Sequence, residues 1–107
     1  MKVDLERFRD TFFEEAYEHL GTMENGLLQL DERGADRELL NGIFRAAHSI
    51  KGASGTFGFT AISRLTHVLE NVLDRLRNAT LAPSPALTRL LLEATDRLQE
   101  LVDATER

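Results

Sequence analysis

The chain has 107 residues and a mass of 12.1 kDa, enough for one domain with one core and too short for a nucleotide-binding catalytic domain plus a substrate domain. Its 42% apolar and 29% charged residues are the balance of a folded globular protein. A net charge of −5 makes it a poor partner for the phosphate backbone of nucleic acid.

The apolar spacing is helical almost throughout. Leu5, Phe8, Phe12, Ala16, Leu20, Met23, Leu27 and Leu30 recur at three- and four-residue steps. They predict one long helix over about 4–31, closed by Gly34. Asp36 is placed to cap a second helix over about 36–54, with the stripe Leu40, Ile43, Phe44, Ala47 and Ile50. That stripe fades into Gly52-Ala53-Ser54-Gly55-Thr56-Phe57-Gly58, which reads as a turn by composition. Thr60 can cap a third helix over about 60–78, with Ile62, Leu65, Leu69, Val72, Leu73 and Leu76 inward. Ser84 followed by Pro85 is a cap with proline at the first helical position. The fourth helix, about 85–104, carries Leu87, Leu91, Ala94, Leu98 and Leu101 or Val102. Four amphipathic helices with short connections predict an all-α, antiparallel up-down four-helix bundle filling residues 1–107.

Other signals are absent. No run approaches 18 consecutive apolar residues, so no membrane insertion is expected, and Met1 to Glu6 has no apolar signal region. Cysteine is missing, which removes disulfides, thiolate zinc sites and cysteine nucleophiles. The expected compartment is the cytoplasm.

Chemistry gathers around His48. On a helix, Lys51 and Gly52 share its face at i+3 and i+4. Helical side chains lean toward the N-terminus, so the residue at 52 would overhang the His48 ring, and it has no side chain. Glycine inside a helix costs about 1 kcal/mol relative to alanine, and close approach by another molecule is a reason to carry that cost. Lys51 is one of two lysines against eleven arginines. Its compact charge suits a phosphoryl oxygen or a carboxylate. His67 and Glu70, three apart on the third helix, share a face. A glutamate accepting from His48 Nδ1–H would fix the tautomer and leave Nε2 as the nucleophile. Each residue also has an ordinary reading: His48 as a surface histidine, Gly52 and Gly55 as a helix end, Lys51 and Glu70 as solvated charges. His19, among Glu14, Glu15 and Glu18, is assigned no role.

No metal site is expected. Di-metal bundles use Glu-x-x-His, and Ala16, Arg45 and Arg64 stand three before the histidines. No P-loop, dinucleotide fingerprint or nucleophile elbow occurs, so the chain has no phosphate-bond chemistry of its own.

The run from Ala46 to Phe59, AAHSIKGASGTFGF, resembles the histidine phosphotransfer (Hpt) domains, most closely those at the N-terminus of chemotaxis histidine kinases. Thr66 to Asn71, Leu40 to Arg45 and Phe12 to Ala16 extend the likeness over nearly the whole chain. The resemblance implies that His48 is phosphorylated. It puts Lys51 beside the phosphoryl group, and His67 and Glu70 in a network under the ring. The family often has glycine where this chain has Ala53. It also implies that the kinase's ATP-binding domain, in the same polypeptide or dimer, phosphorylates His48. A response-regulator receiver domain then takes the group onto an aspartate. ATP and Mg²⁺ belong to those partners, with no cofactor here. On this reading the chain is a phosphoacceptor and no enzyme by itself, an N-terminal piece of a longer kinase, and monomeric in isolation. Gly52 and Gly55 give the partners access. The alternative is a docking module with a non-functional site.

Overall fold

The computed structural model describes residues 4–34 and 36–107. Lys2, and the part of the signal-region reading that rests on Met1 to Val3, lie outside them. Four helices follow in order: α1 Leu5–Arg33, α2 Arg37–Phe57, α3 Thr60–Arg77 and α4 Pro85–Glu106. Each packs on its chain neighbours, and α4 returns to α1, so the four form the expected up-down bundle, 50 × 22 × 19 Å.

Three caps form as the sequence predicts or close to it. Asp36 accepts from the Glu38 and Leu39 N–H groups, and Ser84 accepts from Leu87 N–H ahead of Pro85. Gly34 ends α1 with φ +78°, and its N–H donates to the Leu30 carbonyl. Thr60 does not cap α3. Phe59 holds that position without a side-chain bond, while Thr60 N–H donates to the Gly58 carbonyl at 2.9 Å.

The stretch expected as a turn after Ser54 is helical to Phe57. The stop is at Gly58, whose φ of +74° is the left-handed conformation that glycine adopts without strain. Phe59 N–H donates back to the Ser54 carbonyl at 2.9 Å, the six-to-one bond of a Schellman end. Phe57 and Phe59 pack against Phe12 of α1, with ring centroids 5.6 and 5.2 Å away. That aromatic cluster gives the last turn of α2 a reason to stay helical despite its glycines.

The core is largely the predicted stripes, from Phe12 through Val102. Leu5 and Phe8 are exceptions, 69% and 57% exposed. α4 ends beside Arg9, which donates to the Thr105 carbonyl at 2.6 Å, and α2 ends at the level of Phe12. The first turns of α1 therefore extend past the helices that would cover them. Phe13 and Gly26 are buried instead. A Cβ on Gly26 would stand 2.5 Å from Ile43 Cγ1, so α1 and α2 approach closely there. Thr66, Thr88 and Thr95 occupy core positions by donating to the carbonyls of Ile62, Ser84 and Leu91 in the preceding turn.

Candidate functional site

The α2–α3 seam holds the site. His48 lies on α2 with its side chain 61% exposed. Across the seam, Glu70 of α3 is 13% exposed and aims its carboxylate at α2. Oε1 lies 3.1 Å from His48 Nδ1, and Oε2 lies 2.9 Å from Lys51 Nζ. One carboxylate therefore serves two donors that leave α2 on one face, three residues apart.

Burial alone would raise the Glu70 carboxyl. Donation from Lys51 and His48, together with their charges, outweighs that and holds it below the usual carboxylate range. An ionised carboxylate only accepts, so His48 Nδ1 must carry the hydrogen. In the neutral ring Nε2 then holds the lone pair. Among the described residues, no hydrogen bond engages Nε2. The Phe44 ring, one turn earlier on α2, lies nearly parallel to the imidazole, with centroids 6.0 Å apart and planes 9° apart.

Beyond Lys51 the seam opens into a trough of about 720 Å³. Gly52, Gly55 and Gly58 line its α2 side, and Arg64, His67 and Val68 its α3 side. A Cβ built on Gly52 or Gly55 meets nothing within 4 Å. Only Gly58 is required by its backbone angle. The other two glycines leave a helical surface bare where no contact among the described residues needs it bare.

His48, Lys51 and Glu70 thus come together. His67 stands apart, on the trough wall, with Asn71 Nδ2 3.5 Å from its Nε2. Among the described residues, no hydrogen bond joins it to His48 or Glu70, whose two carboxylate oxygens already have partners. His19 lies on α1, away from the seam. Sequence spacing did not reveal the Lys51–Glu70 pair. Its signal was present, since a glutamate that reaches the His48 ring also reaches the residue at i+3.

A family model for the Hpt domain matches residues 7–106. Over 104 residues the chain is 49% identical to the chemotaxis protein CheA of Klebsiella aerogenes and 48% identical to that of Salmonella typhimurium. Both matches take in 97% of this chain and 16% of the relative, so the chain spans about one sixth of their length. The structure matches the CheA phosphotransferase domain from Thermotoga maritima with a TM-score of 0.87 and 33% identity, covering 99% of this chain and 100% of that one. The four-helix bundle, its half-exposed histidine on a buried carboxylate and these matches lead to one conclusion: the chain belongs to the histidine phosphotransfer (Hpt) domain family, the phosphoacceptor modules of two-component phosphorelays.

Proposed function

We propose that Nε2 of His48 is the atom that accepts and passes on the phosphoryl group. The observation that carries this is the 3.1 Å contact from His48 Nδ1 to Glu70, because it assigns the lone pair to Nε2. That nitrogen attacks the γ-phosphorus of ATP held by a kinase domain. The bond to the bridging oxygen breaks and ADP leaves. Positive charge gathers on the ring, and Glu70 meets it through Nδ1–H. In the second step an aspartate oxygen of a response-regulator receiver attacks phosphorus. The P–N bond breaks and its electrons return to Nε2.

The other roles follow from position. Lys51, already ion-paired with Glu70, holds that carboxylate ionised and offers its ammonium to a phosphoryl oxygen. Gly52 and Gly55 leave room for two successive partners, and His67 lines the same trough, where it meets the partner and not the His48 ring. Phosphoryl transfer depends on positioning, metal and charge, which fits ATP and Mg²⁺ being brought by the partner domains. No helix among the described residues is long and apolar enough to cross a membrane. We place the chain in the cytoplasm, as the N-terminal piece of a longer kinase and monomeric when isolated.

The test mixes this chain with a CheA-type kinase core and labelled ATP. Acid-labile label that is lost in His48→Gln is expected. Label that persists in a folded His48→Gln would overturn the assignment. No label on the parent chain, from a core active on another phosphotransfer domain, would point to the docking-module alternative.

A further inference from the structure

We infer that Phe44 is a positioning residue for phosphoryl transfer, setting the plane of the His48 imidazole; this deepens the reading of His48 as acceptor and rests on it. One hydrogen bond at Nδ1 fixes one point of the ring. Turning the ring about the Cβ–Cγ bond swings Nδ1 away from Glu70, so the hydrogen bond restrains that torsion but still lets the ring rock, because the torsion is intrinsically broad. An imidazole with 61% of its side chain exposed gets little constraint from general packing. The near-parallel Phe44 ring lies beside the imidazole as an offset neighbour, centroids 6.0 Å apart, and bounds how far it can rock. Its place is fixed by helix geometry, because side chains lean toward the N-terminus and the residue at i−4 lies under the His48 ring.

Phe44 is itself held. The Arg77 guanidinium sits over its ring, with Cζ 3.9 Å from the centroid. Arg77 in turn donates to Asp74 Oδ1 at 2.6 Å. Both residues belong to α3, the helix that carries Glu70. The two constraints on the imidazole, Glu70 at its edge and Phe44 beside it, are therefore set by the same helix pair. Phe44 carries no polar atom and is only half-buried, so its side chain is shared between the core and the site.

The test compares Phe44→Leu, which keeps apolar bulk and removes the flat face, with Phe44→Tyr, which keeps the ring. Two readouts are used: the His48 tautomer by ¹⁵N NMR, and uptake from a kinase core resolved into kcat and KM. Phe44→Leu should mix the His48 tautomers and lower kcat about tenfold with KM little changed, and Phe44→Tyr should restore both. Parent-like tautomer and kcat in folded Phe44→Leu would overturn the inference. So would equal loss in both variants. If Phe44→Leu does not fold, Arg77→Gln takes its place, and an unchanged kcat there is the contrary result. The tautomer readout needs no phosphorylation. A parent chain that takes up no label would therefore refute the acceptor reading, while the tautomer still tests Phe44.

Discussion

Two polar clusters tie the bundle together, one across the α2–α3 seam and one across the α1–α4 seam. On the α2–α3 side one carboxylate, Glu70, receives two donors. On the α1–α4 side one hydroxyl, Tyr17, faces two carboxylates, Asp103 at 2.6 Å and Glu106 at 3.0 Å. The Asp103 hydrogen bond, then burial and Glu106, push the Tyr17 phenol well above its usual range, so it keeps its proton as a donor. That cluster is complete in itself and fastens the end of α4. The Glu70 cluster is incomplete by construction: it leaves Nε2 of His48 unengaged, beside a helix surface stripped by glycine. The contrast teaches that hydrogen bonding alone does not mark a site. The unspent atom and the cleared approach do.

Removing the centre of each cluster should separate them most sharply. Glu70→Ala should slow phosphoryl uptake by about 10- to 100-fold, while lowering stability by only about 1 kcal/mol, since both released donors reach water. A variant whose only loss is in Tm would contradict the orienting role. Tyr17→Phe is the counterpart, with no effect on uptake and a Tm lower by a few degrees.

The glycines sharpen the same comparison at smaller scale. Gly52→Ala adds a methyl group to open space, so it should raise stability by about 1 kcal/mol. It should also slow uptake from the kinase core severalfold and leave uptake from a small phosphodonor unchanged. Gly26→Ala, driven into Ile43, should lower stability by about 1 kcal/mol and leave uptake alone. Thermal melts with both phosphodonors decide each.

The smallest effect is in pH. Glu70 is ionised in the fold below its ordinary 4.5, so its stabilisation is fully present above that value. It is lost as pH falls through the lower folded value. The Tm difference between the parent and Glu70→Gln should therefore shrink in acid, as pH falls from 4.5 through the lower folded value. A difference independent of pH would contradict the ion cluster.

Much of the bundle was legible because local chemistry states it. Asp36, Ser84-Pro85 and Gly34 mark helix ends by their own capping groups, and the stripes mark the core. The stretch from Gly52 to Gly58 reads as a turn yet is helical to Phe57, because composition alone does not separate a glycine that ends a helix from one that bares it. Only Gly58 has the positive φ. Leu5 and Phe8 fit the periodicity of α1, but periodicity does not say where neighbouring helices stop. At the site, the sequence places His48, Lys51 and Glu70 on two helix faces. Which donor takes which carboxylate oxygen depends on how α2 and α3 meet, and so does the separation of His67 from them. Phe44 fits the apolar stripe of α2, and only the fold shows its ring beside the imidazole.

If Glu70 reserves Nδ1 of His48, the acceptor is Nε2. The most direct measurement is ¹⁵N and ³¹P NMR of the chain after phosphorylation by a kinase core, reading which ring nitrogen of His48 couples to phosphorus. Phosphorus on Nε2 with Nδ1 still protonated is the expected result. Phosphorus on Nδ1, or on a residue other than His48, would contradict it.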